Sequence, residues 1–352
     1  MTEANQKGES ARDPGVSSVN QSSDTASHSP RPTPITLAIY RDLRVGMVVI
    51  MVMLFAAIVV DTILARHPQS TLSAYYYTSA HSIFIAALLA LSTLFFVYQG
   101  SSDTEDALLT LAGVCALIAA LVPQGRPSPV RESFLPKDYD VGPVIQRNVW
   151  AVVIALVLGW LLMWWQHRHN DTQPTRSLGG TVSLYFLRLI VLLGLIALVV
   201  PHFRPLFNRY AHGLAGILML SAFILTVFHA AYLVGQEEKS AHRDRYHLFY
   251  RVIAVLMLVT LIAVVTLHLV RPHLMKDLDI IVLESALIIE FAAYWVGQTI
   301  ELWNTPDRRE RLPEDVRNRL AEGRTKRGLR GLKSELVEAM KGPRGQRLLP
   351  LL

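Results

Sequence analysis

Eight apolar blocks of about 20 residues dominate this chain, and a helix rising about 1.5 Å per residue over that length crosses a hydrocarbon layer of roughly 30 Å. They lie near residues 45–64, 79–98, 107–122, 148–165, 181–200, 212–235, 249–270 and 280–303. The 352 residues are 51% hydrophobic and 18% charged, with a mean hydropathy of +0.32. That distribution excludes a secreted or cytosolic enzyme. It predicts an all-α, polytopic transmembrane helix bundle of about eight spans.

The charges sit mostly outside the blocks. Residues 1–36 are Ser, Thr, Asn, Pro and charged, too poor in apolar surface to offset chain entropy, so a disordered tail is expected there. Residues 37–303 form the bundle and residues 304–352 a basic tail. With no apolar stretch near the start, no cleavable signal peptide is expected. Of the 34 Lys and Arg, 13 follow Trp303. With eight spans both tails share one side, and that side carries 23 Lys and Arg against nine on the other. Basic residues are retained inside, so both termini are expected to be cytoplasmic and the protein to be multi-pass in the cell membrane.

Ionisable side chains at membrane depth cost several kcal/mol and mark where function resides. The predicted topology sorts them into two layers. At the outer face Asp61 closes the first span, Ser79 and His81 open the second, His212 opens the sixth, His268 ends the seventh, and Glu284 lies one turn into the eighth. Ser79, His81, His212, His268 and Glu284 are the candidate lining of a polar cavity. Toward the cytoplasm fall Arg188, His229, Arg251, Gln298 and Glu301, with Glu290 nearer the midplane. At about 100° per residue, Glu284, Phe291, Trp295 and Gln298 form one stripe of the last helix, and Glu290, Tyr294, Gly297 and Glu301 another. Polar groups on two faces place that helix in the bundle interior.

The outer layer holds zinc-type ligands, but none stand at the i, i+4 spacing that preforms a site, so neither a metal nor another cofactor is expected. The single cysteine, Cys115, lies inside an apolar block and leaves no disulfide framework. Phosphate-loop and nucleophile-elbow motifs are missing. The stretch Arg324 to Lys333 is dense in basic residues, without the interleaved aromatics of a nucleic-acid reader. Beside a membrane it is suited to anionic lipid headgroups. Oligomeric state has no signature in the sequence.

Three stretches carry a likeness. The segment Ser73-Ala74-Tyr75-Tyr76-Tyr77-Thr78 leads into the second span, Tyr98-Gln99-Gly100 closes it, and Glu284, Phe291, Trp295, Gln298 and Glu301 punctuate the last. Together with His212 they resemble an uncharacterised family of bacterial eight-span integral membrane proteins. That family has an S-x-Y-Y-x-T segment before span two and an E-x(6)-F-x(3)-W pattern in the last span. The resemblance implies a bacterial inner-membrane protein and brings no activity with it. A more distant likeness is to zinc hydrolases of the ceramidase and progestin-receptor type, whose paired H-x-x-x-H this chain lacks.

The expected function is a non-enzymatic sensor or small-solute or proton-linked carrier, with its polar cavity open to the outer face. The alternatives are a membrane-embedded, metal-dependent hydrolase that modifies lipids, and a scaffold acting through the basic tail.

Overall fold

The computed structural model describes residues 34–124, 134–136, 141–169, 178–237, 242–270, 279–305, 308–314 and 316–317. Among these residues there are eight α-helices and no strand. The helices are α1 (Pro34–Ala65), α2 (His81–Val97), α3 (Asp103–Leu121), α4 (Val141–His169), α5 (Leu178–Val199), α6 (Arg204–Gly235), α7 (Arg243–Val270) and α8 (Asp279–Glu301). Two 3₁₀ turns, Leu72–Tyr77 and Arg308–Arg311, complete the set. Six of the helices, α1, α3, α4, α6, α7 and α8, are each long and apolar enough to cross a membrane, while α2 and the described apolar part of α5 are shorter. Each helix overlaps one of the eight apolar blocks, and several run beyond them. The 32 residues of α1 begin ahead of the block, at Pro34.

The burial pattern of α1 shows what surroundings the bundle needs. Arg44, Met47, Met51, Leu54, Ile58, Asp61 and Ala65 are buried, a stripe at alternating three- and four-residue spacing. The opposite face carries Val45, Val49, Val52, Val59, Val60 and Ile63, all exposed. From Arg44 onward the outer face is apolar and the charges, Arg44 and Asp61, lie inside, the inverse of a helix in a water-soluble protein. The same apolar exterior continues on α4, α5 and α7 through residues such as Leu162, Leu193 and Val259.

The third block was the shortest, yet α3 is a complete helix of 19 residues. Ser102 caps it, accepting a hydrogen bond from Glu105 N at 3.1 Å. Asp103, Glu105 and Asp106 place negative charge on the positive end of its dipole.

Helices α1, α2, α3, α6, α7 and α8 pack each on the next, and α8 returns to α1 to close a six-membered ring. Outside the ring, α4 packs on α3, and α5 packs on both α3 and α6. The middle of the ring is filled by aromatic side chains. Phe223 and Phe291 stack with centroids 3.6 Å apart, and Phe95 lies 5.5 Å from Phe223. Trp295 and Tyr294 extend this packing along α8. The last helix is therefore a ring member, not the fully enclosed helix expected from its two polar stripes. Those stripes adjoin and both face inward, while Val282, Ile289, Val296 and Ile300 form an exposed stripe on the remaining side.

Helices α7 and α8 approach closely because Gly297 has no side chain: a Cβ there would lie 2.3 Å from a ring carbon of Phe249. Gly297→Val should force the two helices apart at a cost of about 1–3 kcal/mol. Thermal unfolding of purified protein in nanodiscs checks this, and an unchanged Tm would show that the contact is not tight.

Candidate functional site

The ring has two polar ends. The tail end holds the start of α1 and the finish of α8; the far end holds the α1–α2 connection and the start of α8.

At the far end the chain from Gln69 to Ala80 folds into the bundle instead of looping away, and all six residues of the Leu72–Tyr77 turn are buried. The turn is capped by Thr71, whose side chain accepts from Ala74 N at 3.2 Å. Its backbone is tied to α8 through Leu72 N, which donates to Glu284 Oε2 at 2.8 Å. Tyr77 donates from its hydroxyl to Gln124 O at 2.7 Å, and Ser73 donates to the Gln124 side chain. Ser79 donates to Asp61, joining the start of α2 to the finish of α1.

The outer-layer candidates thus reach one end of the bundle but different partners. His81 is held by the Tyr76 carbonyl and lies against the Tyr76 ring, with centroids 4.5 Å apart. His212 is held by Val122 O at 2.7 Å, beyond the end of α3. A carbonyl only accepts, so each histidine donates from Nδ1 and keeps Nε2 as its second site. Ser79 and Glu284 meet Asp61 and the turn backbone, and the His268 side chain lies outside the described residues. Among the described residues no three His, Cys, Asp or Glu side chains come together as metal ligands would. This layer is a hydrogen-bonded cap built on the buried turn.

The tail end carries the denser chemistry. Beyond α8 the chain turns back under the bundle, and Arg308 enters it fully, with 1% of its side chain exposed. Its Nη1 and Nη2 donate to the two oxygens of Glu301 at 2.6 and 2.8 Å, and Nη1 also donates to Glu237 Oε1 at 2.9 Å. The Glu301 carboxylate additionally accepts from the Tyr250 hydroxyl. Arg311 approaches Glu301 to 3.7 Å from a partly exposed position. A second guanidinium, Arg44, lies buried on the inward stripe of α1. It donates to Leu302 O at 3.0 Å and Tyr98 Oη at 3.2 Å. Next to it, Glu105 accepts from Ser101 N at 2.7 Å and from Gln298 Nε2 at 3.4 Å. Ser102, the cap of α3, hydrogen-bonds His229 Nε2 at 2.6 Å.

Of the inner-layer candidates, the structure gathers His229, Gln298 and Glu301 into this end. Glu290 stays apart, and among the described residues it accepts from Thr260 at 3.1 Å. Arg188 and Arg251 are exposed on α5 and α7 and join neither end. Sequence reasoning passed over Arg44, Glu105, Glu237 and Arg308. Arg44 had a legible signal, since it falls on the same three-and-four spacing as Met47, Met51 and Leu54. Arg308 had none, being one basic residue among 13 after Trp303. Part of the expected basic tail 304–352 packs on the bundle. Arg308 is buried, and Leu312 and Val316 pack on Leu233.

Burial holds the Glu237 carboxyl above its ordinary range. Arg308 works against this shift and the neighbouring Glu301 adds to it. The balance is physically clear, because Glu301 already takes two hydrogen bonds from the guanidinium and Glu237 only one. Burial also opposes the charge on Arg308, but Glu301, Tyr250 and Glu237 outweigh it and hold Arg308 firmly protonated.

Compared with known protein families, with curated proteins and with solved structures, the chain matches none of them.

A carboxyl that binds its proton more tightly folded than unfolded adds stability that is fully present below the ordinary carboxylate range and is lost as pH rises through the raised value. The wild-type Tm should therefore decline over that rise, and Glu237→Gln should flatten the decline. Parallel Tm profiles for the two proteins would contradict the assignment to Glu237.

Proposed function

We propose that this chain is an integral, multi-pass protein of the cell membrane that works as a sensor. In this reading it has eight spans with both termini cytoplasmic, and the cap at the far end, with Asp61, Ser79, His81, His212 and Glu284, is the outward face that meets a small polar ligand. The cluster around Arg308 is then the cytoplasmic end, where a change in helix packing is read out. The excess of Lys and Arg on the tail side supports the orientation. The likeness of the S-x-Y-Y-x-T segment and the Glu284, Phe291 and Trp295 series to the bacterial eight-span family makes the bacterial inner membrane the natural setting.

The observation that carries the choice of sensor is the aromatic packing between the two polar ends. Phe95, Phe223 and Phe291, each 5% exposed or less, occupy the ring where a solute path would have to pass. Signals can cross such a core as a shift between packed arrangements, without water or solute crossing. The lipid-hydrolase alternative requires His, Asp and Ser to converge on one metal. Here His81 and His212 are each held by a separate backbone carbonyl. Arg324 to Lys333, outside the described residues, would then lie on anionic headgroups as a membrane contact.

Purified protein in liposomes carrying an internal pH-sensitive dye separates sensor from proton-linked carrier. The sensor reading expects an imposed pH gradient to decay no faster than in protein-free liposomes. Accelerated decay that Glu284→Gln abolishes would overturn it in favour of the carrier.

A further inference from the structure

Three helices of the ring present their tail ends to one guanidinium. Glu301 closes α8 and accepts from both Nη1 and Nη2 of Arg308. Glu237, two residues past the end of α6, takes a third hydrogen bond. Tyr250 of α7 lies beneath, its ring centroid 5.7 Å from the guanidinium carbon, and its hydroxyl steadies Glu301. Two carboxylates and an aromatic face are the chemistry that recognises a planar organic cation. All three groups belong to the bundle.

The cation belongs to a short segment past α8. Besides the guanidinium, its described residues reach the bundle at several points. Arg308 N donates to Ser101 Oγ at 3.4 Å, Arg309 donates to Ser101 O, and Arg311 Nη2 donates to Glu301 O at 2.8 Å. Leu312 and Val316 add an apolar contact with Leu233. The site also offers more than Arg308 takes up. Glu237 is fully buried, and its Oε2 has no hydrogen-bond partner among the described residues. A buried carboxylate oxygen left without a donor marks a site with acceptor capacity to spare.

We propose that Glu237, Glu301 and Tyr250 form a recognition site for guanidinium-type cations, with Arg308 as its built-in occupant. The described residues 308–314 and 316–317 then belong to a strap that covers the tail end of the ring while Arg308 is seated. The ligand class follows from the geometry. A planar cation with paired N–H donors engages Glu301 with two parallel bonds and reaches Glu237 with a third, whereas an ammonium donates from a single tetrahedral nitrogen and cannot present that parallel pair.

Chemical rescue tests this on the full chain. Arg308→Ala should lower the Tm by several degrees, and millimolar methylguanidinium should restore at least half of that loss. Tetramethylammonium at the same concentration should restore none of it, and neither salt should rescue the Glu301→Gln/Arg308→Ala double variant. Where Arg308→Ala gives no folded protein by itself, the same comparison is read as the yield of monodisperse protein extracted in each salt. An unchanged Tm on Arg308→Ala would overturn the proposal. So would absence of selective recovery, or equal recovery in the double variant.

Discussion

A guanidinium buried between two carboxylates is the interaction on which the tail end depends. Arg308 and Glu237 are both almost wholly withdrawn from solvent, as is Glu301. Desolvating such charges costs several kcal/mol each, an expense that their mutual attraction offsets only when the hydrogen bonds are well made. Here they are, with two bonds to Glu301 and a third to Glu237. Removing one partner strands the others in a low-dielectric site, which typically costs about 3–5 kcal/mol. The pair also spans elements, since Glu237 follows α6, Glu301 ends α8 and Arg308 lies beyond both. It ties α6 to α8 at their tail ends, and Arg44 completes the closure by binding the chain just past α8 from α1.

The rest of the bundle follows from solvent. Its outer surface is apolar on helix after helix, so the polar groups have nowhere favourable to go but inward or to the ends. Apart from Glu290 and the exposed Arg188 and Arg251, the described candidate residues go to the two ends, and aromatic rings pack the space between. The far end solves its polar accounting largely with backbone: the buried Leu72–Tyr77 turn offers its own N–H and C=O groups to Glu284 and His81. The tail end solves it with ions. That asymmetry gives the sensor reading its shape, with a hydrogen-bonded cap at one end and a charge-locked clasp at the other.

Much of this was legible in the sequence because lipid imposes simple rules. The apolar blocks overlap the eight helices of the described residues, six of them long and apolar enough to cross a membrane, and Gln298 and Glu301 lie buried on α8. Helical spacing could have exposed Arg44, whose charge breaks an otherwise apolar inward stripe. Other features were not legible, for physical reasons. Val122 O and Tyr76 O hold His212 and His81, and backbone acceptors leave no trace in residue types. Glu237 and Arg308 stand 71 positions apart in regions that composition marks as loop and basic tail. Their burial is decided by how the chain turns after α8, which no local pattern encodes. Arg188 and Arg251 show the converse, charges inside apolar blocks whose long stems carry them to the exposed surface.

If the clasp holds the tail end together as a unit, Arg308 and Glu301 must be energetically coupled. A double-mutant cycle of Arg308→Met, Glu301→Gln and the combined variant, followed by unfolding in nanodiscs, measures that coupling directly. The account predicts a coupling of at least about 1 kcal/mol, with the double variant losing clearly less than the sum of the single losses. Additive losses would mean that the two residues stabilise the protein independently, and would contradict the clasp.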